Sequence, residues 1–147
     1  MKGFSLIELL VVITIGGILL TIAWVRMSTL VPIYQLEGAA RGLATEIQKA
    51  HGRAVAEGKC IRVTISAGAK TYQVEPSPTS ACSGYVAETA RKIDDADSIT
   101  VAVTNNPVFQ SRGTLANGTA SQITLTNSAG DARSVYVQEP SGRVYVQ

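Results

Sequence analysis

Glu8 is the residue whose type and position most clearly ask for chemistry. It is the only charge in the run from Phe4 to Trp24. As a helix, that run would span roughly 30 Å, the thickness of a bilayer core. A carboxylate placed there costs roughly 2.5–3.5 kcal/mol on insertion, so it is expected to be kept for a cationic partner. Other reactive types are sparse. The single histidine, His51, has no companions for a Ser-His-Asp or Cys-His set. Asp94, Asp95 and Asp97 lack the spacing and terminal Glu of a calcium loop and read as a solvated acidic loop. No phosphate loop, dinucleotide fingerprint or metal motif is present, so no enzyme, cofactor or metal is expected.

The elements that must position Glu8 begin with a short basic leader, Met1-Lys2-Gly3. A secretory signal peptide would have a shorter apolar core and a small-residue cleavage site, and none follows Trp24. A plain signal anchor accounts for the length, and Lys2 before the span favours a cytoplasmic N-terminus. It leaves Glu8 unexplained. Gly16-Gly17 lies mid-run, as a close-packing site or a point of local melting. Pro32 is where a kink is expected.

The 147 residues suffice for an anchor plus one domain of modest core. Net charge is +2, which gives no general case for nucleic-acid or membrane-surface binding. Cys60 and Cys82 both lie beyond the anchor, in what would be an oxidising compartment, and read as one disulfide. Closing that loop would stabilise by roughly 3 kcal/mol. Two buried free thiols are the alternative. Zinc is disfavoured, with one His and no Cys-x-x-Cys pair.

Residues 33–57 read as an amphipathic helix. Leu36, Ala39, Ala40, Leu43, Ile47, Ala50, Ala54 and Val55 recur at spacings of three and four. Glu37, Arg41, Glu46, Lys49 and Arg53 form the opposite, wet face, with His51 solvated beside them. Gly58 is the stop signal, and the anchor and this segment can join as one helix. After it the period changes to two. Residues 61–65 and 71–75 read as a hairpin, with Cys82 in the following loop, and 98–104, 122–126, 132–138 and 143–146 as further strands. The fold class is α+β: a long N-terminal helix, half transmembrane and half amphipathic, laid on an antiparallel β-sheet domain.

The unbroken run Gly3-Phe4-Ser5-Leu6-Ile7-Glu8-Leu9 resembles the class III signal of type IV pilins and pseudopilins. The resemblance implies cleavage by prepilin peptidase between Gly3 and Phe4, N-methylation of Phe4, and pairing of Glu8 with the Phe4 amine of a neighbouring subunit. An unpaired carboxylate is costly in the filament core, so such pairing would select register. Many members carry Pro just after the apolar run, where this chain has Val25. Farther on, Phe109-Gln110-Ser111-Arg112-Gly113, Gln122-Ile123-Thr124-Leu125, Gly130, Val135-Tyr136-Val137 and Gly142-Arg143-Val144 are similar to the C-terminal pattern of the GspH/FimT family of minor pilins and minor pseudopilins. Turn geometry alone would account for the glycines. Arg112 and Arg143 would be surface charges or short pairs with Asp131 or Glu139.

The implied organisation is a removed leader (1–3), a transmembrane and assembly helix (4–25), its amphipathic half (26–58) and a β domain (59–147). The leading function is a minor subunit of a type IV pilus or type II secretion filament. Its partners would be other pilin subunits, prepilin peptidase and the inner-membrane assembly platform. It would start in the inner membrane with its C-terminal domain in the periplasm. Some FimT-like proteins bind DNA through Gly-Arg-x-Arg, and here the corresponding residues are Gly142-Arg143-Val144-Tyr145, with Tyr in place of the second Arg. A DNA receptor in natural transformation, contacting DNA through Arg143, Tyr145 and Arg112, is the alternative. A secretion pseudopilin acting as a piston and a plain anchored binding module complete the set.

Overall fold

A computed structural model of the chain describes residues 5–93, 98–116 and 120–147, without the side chains of 25, 26, 28 and 29. Gly3 and Phe4, and Asp94, Asp95 and Asp97, lie outside the described residues.

One helix, α1, runs from Leu6 to Glu57 and passes through Pro32. Proline removes one N–H from the ladder; the apolar run before it and the good helix formers after it carry the helix across. The helix ends at Gly58, whose N–H bonds the Ala54 carbonyl.

Eight strands follow: β1 (Ile61–Ser66), β2 (Thr71–Pro76), β3 (Arg91–Lys92), β4 (Ile99–Val103), β5 (Val108–Phe109), β6 (Ser121–Asn127), β7 (Ala132–Gln138) and β8 (Arg143–Val146). They form two antiparallel four-stranded sheets, ordered β3-β2-β1-β5 and β4-β6-β7-β8. The sequence implied a single sheet. The chain passes to the second sheet after β3, returns to the first as β5 beside β1, and then stays in the second from β6 onward.

The distal half of α1 packs on both sheets. Leu36, Ala40, Leu43, Ile47, Ala50 and Ala54 are buried against Ile61, Val63, Phe109, Ile123, Leu125, Val135 and Val137. The small residues Ala40, Ala50 and Ala54 let the helix lie close to the strands. Val55, expected on this face, is 51% exposed, because it falls one residue past the buried row, beside the Gly113 turn.

Candidate functional site

The proximal half of α1 is the most distinctive surface of the molecule. Leu6–Trp24 is long and apolar enough to cross a membrane, and none of it is buried. Its hydroxyls are satisfied within the helix: Thr14 Oγ1 donates to the Leu10 and Val11 carbonyls at 3.1 and 2.8 Å, and Thr21 Oγ1 donates to the Ile18 carbonyl at 2.7 Å. Such back-bonding lets a hydroxyl sit in an apolar medium at small cost. Glu8 has no such solution. It is exposed, in the first turn of the helix, and no side chain among the described residues pairs with it. Among the described residues, the chain therefore presents an unpartnered apolar helix bearing one carboxylate without an ion-pair partner.

The distal half holds that helix to the domain. Three of its charges reach across: Glu37 accepts from Arg133 Nε at 2.9 Å, Arg53 Nη1 donates to Glu88 at 2.6 Å, and Glu46 lies 3.6 Å from Arg91. The same three residues also pair along the helix with Arg41, Glu57 and Lys49. The face read from sequence as simply wet is thus partly a set of clips to the β domain. Hydrogen bonds from Arg41 and Arg133 hold the Glu37 carboxyl below its ordinary value. Hydrogen bonds donated to Glu57 and Glu88 push the Arg53 guanidinium above its ordinary value.

His51 also departs from expectation. Rather than standing in solvent, its Nε2–H donates to the Gly113 carbonyl at 2.8 Å, and its ring lies 5.2 Å from that of buried Phe109. Gly113 has φ +80°, and a Cβ there would come 2.9 Å from His51 Nε2. A Cβ at Gly142 would come 2.8 Å from the Gly113 carbonyl oxygen. The two turns and the helix therefore meet at a point that excludes side chains, a stronger reason for glycine than turn geometry.

Cys60 and Cys82 are joined, with Cα atoms 5.0 Å apart. Cys60 is buried at the start of the first sheet, so the bond ties the loop after β2 to β1. Beside it Arg62 pairs with Glu75 at 2.5 Å and sits 4.3 Å over the Tyr85 ring, whose burial pushes its hydroxyl upward.

Arg112 and Arg143 are exposed and form no ion pair among the described residues. Asp131, an expected partner, is instead bonded by Asn127. They stand on the two turns that touch at Gly113 and Gly142. Tyr145 stacks on Tyr136 with ring centroids 5.3 Å apart. No cluster of three or more metal-ligating side chains exists among the described residues.

Residues 39–140 match the family model for type II transport protein GspH. The chain belongs to this family. Residues 1–24 match the prokaryotic N-terminal methylation motif. Two solved structures share the fold. The type IV minor pilin FimU of Pseudomonas aeruginosa superposes with TM-score 0.63 at 18% identity, over 78% of this chain and 89% of that one. The minor pseudopilin EpsH of the Vibrio cholerae type 2 secretion system gives TM-score 0.63 at 11% identity, over 77% and 96%. No curated protein matches this chain in sequence. Motif, family domain and fold together make this GspH-family chain a minor pilin or minor pseudopilin, anchored by its N-terminal helix. Sequence reasoning missed the role of His51 because the carbonyl it binds is 62 residues away. The segment Phe109–Gly113, singled out for its resemblance to the family pattern, carried a hint of it.

Proposed function

We propose that the chain is cut after Gly3 by prepilin peptidase, N-methylated at Phe4, and held in the inner membrane with its β domain in the periplasm. It then enters a type IV pilus or type II secretion filament. The observation that carries this reading is Glu8, the single charge on a bare apolar helix and one without an ion-pair partner among the described residues. In a filament the helix would bury its apolar surface against neighbours, and Glu8 would find the Phe4 amine of an adjacent subunit. Leaving one member of a buried pair alone costs roughly 3–5 kcal/mol, so correct register is selected by charge as well as by fit. Glu8→Val tests it: the variant is expected to insert and be cleaved normally, yet to fall at least roughly tenfold in sheared filaments. Normal incorporation would contradict the pairing.

DNA binding is a second reading, favoured by one observation: Arg112 and Arg143 stand on touching turns with no ion-pair partner among the described residues, and Tyr145 follows Arg143 by two residues. Guanidinium groups would take phosphates and the ring would take a base. The expected result is DNA binding that weakens steeply with salt and is lost in Arg143→Ala. Absence of binding at low salt would remove this reading.

A further inference from the structure

Strand β8 is one of the two edges of the second sheet. Ser134 and Gln147 exchange both N–H···O bonds at 2.9 Å. Bonded pairs recur every second residue in an antiparallel ladder, so Tyr136–Tyr145 and Gln138–Arg143 are the other bonded pairs of β7 and β8. Val144 and Val146 therefore turn their backbone groups away from β7, toward the edge. The Val144 carbonyl accepts Gln48 Nε2 from α1 at 3.4 Å. Among the described residues nothing reaches the two valine N–H groups or the Val146 carbonyl.

This edge opens into a cleft of about 680 Å³ between β8 and α1. Buried Ala44 and Val144 form part of its lining, with Arg41 and Arg133 beside them. Glu37 takes one Nε–H from each arginine, at 2.7 and 2.9 Å. Side-chain charge in the cleft is thus two guanidinium groups against one carboxylate. Arg41 keeps its terminal nitrogens exposed to the cleft, its side chain 74% accessible.

We propose that the β8 edge accepts an extended acidic segment of a partner protein as an added strand of the β4-β6-β7-β8 sheet. Only an extended backbone supplies acceptors and donors at the spacing that the outward groups of Val144 and Val146 require. Alternate side chains of that strand would face the cleft, where Arg41 and Arg133 select carboxylates. The remainder would lie on the outer face next to Tyr145, where apolar groups fit. This edge recognition does not depend on N-terminal processing.

The test is amide exchange of the ¹⁵N-labelled full chain in detergent micelles, titrated with a short peptide of alternating Glu and Val. At saturation the Val144 and Val146 amides are expected to slow by roughly tenfold or more. Arg41→Gln should weaken affinity by roughly two- to fivefold. Val146→Pro removes an outward N–H without taking one from the ladder, and should abolish binding. The same peptide with Lys in place of Glu should not bind. Equal protection by the Lys peptide, or no protection at either valine, would overturn the proposal. Protection that grows with protein concentration in the absence of peptide would assign the edge to a second copy of this chain and likewise overturn it.

Discussion

At the scale of single residues, the contact between His51, Gly113 and Gly142 couples the helix to the far turns. Gly113→Ala would place a Cβ 2.9 Å from His51 Nε2 and force a side chain into a left-handed backbone conformation. A loss of roughly 1–3 kcal/mol is expected. His51→Ala removes a hydrogen bond to a carbonyl and a ring contact, a loss of roughly 1–2 kcal/mol. The double variant should be less destabilised than the sum, since the clash with the imidazole is removed while the 3.1 Å approach to Val55 Cγ2 and the backbone part stay. Urea midpoints of the four proteins measure this directly, and strict additivity would show that the two residues do not press on one another. The Cys60–Cys82 bond is the other long-range tie at this scale. Its reduction should cost roughly 3 kcal/mol in the chain-entropy picture, read as a fall in thermal midpoint with dithiothreitol.

At the scale of elements, α1 is two devices in one continuous rod. Its distal half is a docking helix whose buried row includes Leu36, Ala40, Leu43 and Ile47. Ile47→Ala should cost roughly 2–5 kcal/mol, whereas Val55→Ala, one turn from the end and half exposed, should fall within about 0.5 kcal/mol. Much of this element was legible in the sequence. The three–four spacing gave the buried row except for Ala44, whose small side chain carries little pattern. Period-two alternation located β1, β2, β4, β6, β7 and β8 to within a residue or two at each end. Two elements were not legible: Arg91–Lys92 and Val108–Phe109 are two residues each, too short for any periodicity to register. The division into two sheets was also hidden, because strand neighbours such as β1 and β5 are set by partners more than 40 residues apart. Of the site, Glu8 stood out because a charge in an apolar run is conspicuous. The clips from Glu37, Glu46 and Arg53 did not, since a charged residue on a wet face looks the same whether or not a partner arrives from elsewhere in the fold.

At the scale of the whole molecule, the domain transmits its position to the anchor through the helix, and the clips govern how firmly. The Glu37 carboxyl is held low by Arg41 and Arg133. A carboxyl lowered in the folded state contributes stability fully above its unfolded value of about 4.3. That contribution is lost as the pH falls through the lowered folded value. Glu37→Gln is therefore expected to flatten part of the acid limb of stability and to leave the region above pH 6 less stable than the parent. Denaturation midpoints across pH 3–7 check this, and an unchanged acid limb would mean that the clip carries no free energy. The same geometry explains how a small domain with one modest core can present a bare apolar helix without collapsing onto it. The distal half of α1 has already used the inner faces of both sheets, so the proximal half has no surface of its own domain left to cover it.

The central claim is that this bare helix, with Glu8 upon it, belongs to a processed filament subunit. The most direct measurement is the intact mass and N-terminal residue of the protein from membranes of cells with and without prepilin peptidase. A chain beginning at N-methylated Phe4 only when the peptidase is present is the expected result. A chain beginning at Met1 in both would contradict the account and leave an anchored β domain with an unexplained carboxylate in its span.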